Sequence, residues 1–113
     1  MHEVAVAQGI VEACCERAAG ARVLCVTLEI GTLTCVLPES LRFCFGIATE
    51  GTRLAGSELE IIRLPGRSRC RDCGGEVRMD NVFSVCTCGS TNLERPEGGE
   101  ELRIKSMRIE EAA

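Results

Sequence analysis

Tryptophan and tyrosine are absent from this chain of 113 residues, and only three phenylalanines and a single histidine are present. With so few rings the core must be aliphatic and small, and there is little to stack on exposed bases. The lone histidine stands at position 2, so no serine or cysteine nucleophile can be assembled beside a histidine base. That argues against an enzyme. No apolar run approaches the ~18 residues of a membrane span, and no charged-then-apolar leader with a cleavage site is visible. A cytoplasmic protein without a membrane partner is expected. Positive charge is also in short supply: the formal net charge is −4, which does not attract phosphate backbones.

What the chain does have is cysteine, nine in all. Four of them form two close pairs, Cys70-Arg71-Asp72-Cys73 and Cys86-Thr87-Cys88, with twelve residues between the pairs. That spacing is the pattern of a zinc ribbon, in which a short hairpin gathers four thiolates around one Zn²⁺ at a closed, structural site. Spacing alone leaves a disulfide pair or a redox couple open. The second pair is C-x-C where most ribbons have C-x-x-C. Cys14, Cys15, Cys25, Cys35 and Cys44 lie mostly in apolar stretches and read as small core hydrophobes in a reducing compartment. Cys14 and Cys15 are adjacent on a predicted helix, so one of them is expected to face solvent.

Periodicity supplies the rest of the architecture. Val4, Ala7, Val11, Cys14 and Ala18 recur at helical spacing, and Gly20 stands where a C-terminal cap belongs. Residues 21–30 alternate as a half-buried strand, with Leu24, Val26, Leu28 and Ile30 on one face. Pro38 suits the first turn of a second helix carrying Leu41, Cys44, Phe45 and Ala48. Strands are expected at 58–64 and 101–110. Residues 66–95 hold the cysteine pairs and few core candidates, namely Val77, Val82, Phe83 and Val85, so this piece depends on its metal. The predicted fold is α+β: two helices packed on a three-stranded sheet, with a zinc-ribbon subdomain inserted between the last two strands. The expected division is an α/β domain of 1–65 plus 96–113 and a ribbon of 66–95.

A second metal candidate is the amino terminus. The α-amine of Met1, the amide nitrogen of His2 and the His2 imidazole can close two fused chelate rings on one cation, a planar nitrogen set that suits nickel(II) or copper(II) and not zinc. Glu3 adds a carboxylate or its own amide nitrogen. On the residues alone, a solvated histidine at a frayed terminus is the simpler reading.

Several segments taken together shift that balance. Met1-His2-Glu3-Val4, Leu28-Glu29-Ile30-Gly31, Pro38-Glu39-Ser40-Leu41-Arg42-Phe43, Gly51-Thr52, the cysteine pairs and Gly99-Glu100-Glu101-Leu102-Arg103-Ile104, in this order and spacing, resemble the HypA/HybF family of nickel metallochaperones. The resemblance spans essentially the whole chain. It implies a nickel-binding α/β domain with a zinc ribbon, and a role in maturation of [NiFe] hydrogenase: Ni²⁺ is accepted and delivered to the hydrogenase large-subunit precursor with the help of an accessory GTPase. It places the nickel ligand on His2 with Glu3 supporting and Met1 contributing its α-amine, and the zinc ligands on Cys70, Cys73, Cys86 and Cys88. Urease accessory proteins and a homodimer partner stay open.

The rival reading is a zinc-ribbon adaptor or nucleic-acid-binding module, suggested by Arg63, Arg67, Arg69, Arg71 and Arg78 near the first cysteine pair. Those arginines are interleaved with Asp72, Glu76 and Asp80, and arginines beside a doubly negative zinc–thiolate centre more simply offset its charge.

Overall fold

A computed structural model describes residues 2–111 of the chain. The first helix, α1 (His2–Ala18), buries Glu3, Ala7, Ile10, Val11, Cys14 and Ala18 along one stripe. Its phase differs from the sequence expectation at the start: Val4 is 48% exposed and Glu3 takes the inward position. Both fit the helical repeat with Ala7, and the choice falls to Glu3 because its carboxylate finds a backbone donor there. Gly20 stops the helix at φ 92°, as a left-handed cap requires.

Strand β1 (Val23–Gly31) follows, with Val26, Leu28 and Ile30 fully buried. Helix α2 (Pro38–Ala48) starts at a proline whose missing N–H costs nothing, buries Leu41 and Phe45, and packs on α1. Phe43 and Ile47, on its other side, are exposed. Strands β2 (Glu58–Leu64) and β5 (Leu102–Ile109) flank β1 in the order β2-β1-β5. The strand with most apolar content is therefore central, and the ribbon segment runs between the two edges. The fold is α+β, as the sequence indicates. Among the described residues no helix is long and apolar enough to cross a membrane.

The chain divides into two compact units, one formed by the residues up to Leu28, Val36–Ile61 and the residues from Ile104 on, the other by Glu29–Cys35 and Ile62–Arg103. Both helices and their aliphatic core lie in the first. In the second, β3 (Gly66–Arg69) pairs antiparallel with β4 (Glu76–Met79), Gly66 opposite Met79 and Arg69 opposite Glu76. Its core is small: Cys70, Val77, Met79 and Cys86, with Leu33 and Leu93 against them.

Of the apolar residues expected to support the ribbon only Val77 does so; Val82, Phe83 and Val85 are exposed, Phe83 at 85%. The cause is local. Asn81 Oδ1 accepts the Phe83 N–H at 2.8 Å, and this side-chain turn directs Phe83 outward.

The segments around the ribbon are tied by backbone approach. The Gly31 N–H donates to Glu101 O and the Leu33 N–H to Gly99 O, each at 2.7 Å. A Cβ on Gly31 would lie 1.9 Å from the Gly99 oxygen, so only glycine lets these strands meet. Thr32 adds two more ties, its N–H to Leu64 O at 2.8 Å and its hydroxyl to Met79 O at 2.7 Å.

Among the other cysteines, Cys14 and Cys25 are buried as expected and Cys15 is partly exposed. Cys35 is exposed, because it lies in the turn between β1 and α2 and not on a core face.

Candidate metal centres

The four paired cysteines converge in the second unit. Cys70 follows β3 directly, Cys73 lies in the turn to β4, and Cys86 and Cys88 come from the loop after β4. All four Sγ atoms lie within 4.8 Å of one another. Cys73 Sγ is 3.5 Å from Cys86 Sγ, and Cys70 Sγ is 3.7 Å from Cys88 Sγ. A tetrahedral ion with Zn–S bonds of about 2.3 Å needs sulfurs about 3.8 Å apart, whereas a disulfide needs about 2.05 Å. No disulfide links them. The residues present fit zinc in number, donor type and spacing.

Two turns build the site. In the first, the Gly74 N–H donates to Cys70 O and the Cys70 N–H to Gly75 O, both at 2.9 Å, with Gly74 at φ 76°. In the second, the Gly89 N–H donates to Cys86 O at 2.8 Å and the Cys86 N–H to Ser90 O at 3.0 Å, with Gly89 at φ 91°. The second is the first with one residue removed, which is how a C-x-C pair still presents both sulfurs. The shortening has an electrostatic consequence. Cys70 Sγ accepts from the N–H groups of Cys73 and Asp72, which bring its thiol down to about 6 against the cost of burial. Cys86 is lowered by the N–H of Cys88 and by the Cys73 thiol.

Cys88 accepts from the Ser90 N–H, yet the neighbouring Cys86 and the other sulfurs push it up to about 12; Cys73 also rises, despite the Gly75 N–H. Four thiolates this close require a compensating cation. The four cysteines singled out in the sequence are neighbours in the structure.

The arginines around this site are engaged locally. Arg67 pairs with Glu76 at 3.0 Å, Arg78 with Asp80 at 2.9 Å, and Arg69 donates to Gly74 O at 2.8 Å.

At the other candidate, His2 is exposed as the first residue of α1 and Glu3 is buried beside it. The α-amine of Met1 lies outside the described residues. Glu3 Oε2 accepts the N–H of Leu37 at 3.3 Å, and this bond together with one from its own N–H holds the carboxyl below the ordinary 4.5. Leu37 is the N-cap of α2 and has no side-chain cap of its own. Glu3 therefore supplies from α1 the side-chain acceptor that the start of α2 lacks, and adds its charge to that of Glu39 in the first turn. Sequence reasoning missed this role, although an apolar residue before Pro38 was a sign that a cap had to come from elsewhere. Replacing Glu3 by alanine is expected to accelerate amide exchange of Leu37 and the first turn of α2 several-fold, with the ribbon amides unchanged; equal exchange in both proteins would contradict it. Glu3 also lines a groove of about 410 Å³ with Glu39, Ser40, Phe43 and Cys44.

The chain has relatives among known proteins. Residues 1–109 match the model of the HypA family, described as a hydrogenase/urease nickel incorporation metallochaperone. Hydrogenase maturation factor HypA of Nostoc punctiforme is 50% identical over 111 residues, covering 98% of this chain and 97% of that protein. The same factor from Geobacter metallireducens is 45% identical over 111 residues, covering 97% and 100%. The solution structure of the Ni metallochaperone HypA from Helicobacter pylori has the same fold, with a TM-score of 0.62 at 23% identity over 96% of this chain and 97% of that one. The chain belongs to the HypA family of nickel metallochaperones that act in hydrogenase maturation.

Proposed function

We propose that this chain carries Ni²⁺ at its amino terminus in the cytoplasm, with His2 as the principal ligand, and passes it to a [NiFe] hydrogenase large-subunit precursor with the help of a nickel-handling GTPase. The nickel-binding part is formed by 1–65 with 96–113, and a resident zinc is held in 66–95 by Cys70, Cys73, Cys86 and Cys88. The exposure of His2 at the start of α1, in a chain matched to the family along nearly its whole length, carries this reading.

Donor chemistry keeps the two metals apart. Four clustered sulfurs suit tetrahedral zinc, which supplies fold stability when bound, whereas an imidazole with main-chain nitrogens suits a planar nickel site. The first N–H groups of α1 have no partners within the helix, so the nitrogens of residues 2 and 3 are not committed to its ladder. Because the Glu3 carboxylate is engaged at Leu37 and with its own N–H, its support for the cargo is secondary to the His2 imidazole. An exposed imidazole with main-chain nitrogens and no clamping carboxylate binds selectively and releases on contact with the next protein. Urease accessory proteins are further recipients in this scheme, and a homodimer is compatible with it. The nucleic-acid alternative loses support because three of its five arginines, Arg67, Arg69 and Arg78, are engaged within the ribbon.

Equilibrium dialysis against Ni²⁺ tests the assignment. The His2→Ala variant should bind nickel more than about 100-fold less tightly, since losing even a partner that only orients a ligand costs about 10–100-fold. Unchanged affinity would remove His2 from the site.

A further inference from the structure

Cys25 lies on β1 in register with Thr27 and out of phase with the fully buried Val26, Leu28 and Ile30, so its side chain belongs to the opposite face of the sheet. That face is covered at this end of the strand, where Val23 is 1% and Cys25 4% exposed. What lies against it is charge. On the adjacent strand β2, Leu59 is buried while Glu58 and Glu60 turn to the same side as Cys25. Their carboxylate oxygens and Cys25 Sγ all lie within 4.8 Å of one another. Thr27 Oγ1 donates to Glu60 Oε2 at 3.2 Å and holds that carboxylate close to the thiol.

The charges around this cluster do not balance. Neither Glu58 nor Glu60 enters a salt bridge among the described residues. Arg108, from β5 on the other side of β1, acts on Cys25 as one cation against the two carboxylates. Like charges brought together on one face of a sheet are destabilising unless something offsets them. Burial, and after it Glu60, pushes the Cys25 thiol up. The group that relieves all of this at once is a divalent cation, with two carboxylates and one thiolate as ligands.

We propose that Cys25, Glu58 and Glu60 form a second metal site, selective for a tetrahedral, borderline-soft divalent ion of the Zn²⁺ class, with water in the fourth position. One sulfur and two oxygens disfavour Mg²⁺ and Ca²⁺, which take oxygen shells of six or more, and disfavour planar nickel, which wants nitrogen. Zn–S and Zn–O bonds of about 2.3 and 2.0–2.2 Å require ligand separations of about 3.5 Å. Rotation of the two exposed glutamates supplies the remaining approach without backbone movement. Binding forms the metal–sulfur bond and releases the Cys25 proton to solvent. With one thiolate, an open face and Arg108 nearby, this site exchanges its ion far faster than the four-cysteine cluster. It lies on the sheet and uses no residue of the proposed nickel site.

Co²⁺ titration of the full chain, with its four-cysteine cluster already filled by zinc, tests the site. One further equivalent of Co²⁺ should raise a near-ultraviolet cobalt–thiolate charge-transfer band, which binding at His2 cannot produce. The band should vanish in Cys25→Ser. In the double variant Glu58→Gln/Glu60→Gln, where only exposed side chains change and the core is untouched, half-saturation should need at least about ten-fold more Co²⁺. No band in the parent, a band that persists in Cys25→Ser, or an unchanged midpoint in the double variant overturns the proposal.

Discussion

Removing the metal from the four-cysteine cluster, by strong chelation or by Cys86→Ser, is expected to unfold the ribbon while leaving the helices folded. The hairpin β3–β4 has four residues per strand, and two of the four buried members of its core are the proposed ligands Cys70 and Cys86 themselves. Val77 and Met79 remain, against Leu33 and Leu93. An isolated two-stranded hairpin with so little apolar cover is marginal at best in water. Structural zinc in small metallo-domains supplies about 10–16 kcal/mol of apparent binding free energy, so the metal decides between the folded and unfolded ribbon. Hydrogen exchange reads this directly: amides of 66–79 and 86–97 should lose protection to the level of a disordered chain. Those of α1, α2 and the Val23–Leu28 part of β1 should keep theirs, because their core shares no residue with the ribbon. Simultaneous loss in both units would contradict this.

The second large effect concerns Gly31. In Gly31→Ala the new Cβ meets the Gly99 oxygen at 1.9 Å and its carbon at 2.0 Å, both backbone atoms that cannot rotate away. The two strands must separate, which breaks or stretches the 2.7 Å bonds from Gly31 N–H to Glu101 O and from Leu33 N–H to Gly99 O. Forced overpacking costs about 1–3 kcal/mol, and two lost buried backbone bonds add to it, so about 3 kcal/mol or more is expected. For a chain of this size the melting temperature should fall by about 10 °C or more. Gly9→Ala is the control. That glycine sits inside α1 with open space for 4 Å around the point where a methyl group would stand, so alanine there should stabilise by roughly 0.5–1 kcal/mol. A Gly31→Ala protein as stable as its parent would show that the approach of Gly31 to Gly99 is not required.

The features that were readable in the sequence are those set by local chemistry. Pro38 announced the start of α2, the alternation of Val26, Leu28 and Ile30 announced a strand with one buried face, and the cysteine spacing announced four convergent sulfurs. What was not readable depends on partners distant in the chain. Periodicity could not choose between Val4 and Glu3 for the inward position of α1, because the choice rests on a backbone N–H thirty-four residues later. Phe83 looked like a core residue by type and is exposed because of a turn built by Asn81. Leu102 and Ile104 alternate as a buried strand would before the phase slips to Met107 and Ile109, yet β5 is an edge and Leu102, Ile104 and Ile109 are exposed. Strand order, and the close approach of Gly31 to Gly99, follow from packing and leave no mark in the spacing of residues. Membership in the family was legible because it rests on many short segments in sequence order, which packing does not disturb.

The central claim is that one chain keeps two metals on two kinds of donor, zinc on sulfur and nickel on nitrogen. Elemental analysis of the purified chain after nickel loading and desalting, with and without a mild chelator wash, tests it most directly. One zinc per chain should survive the wash, and one nickel should be present before it and gone after it. Nickel that resists the wash while zinc is lost would place the cargo in the cysteine cluster and contradict the account.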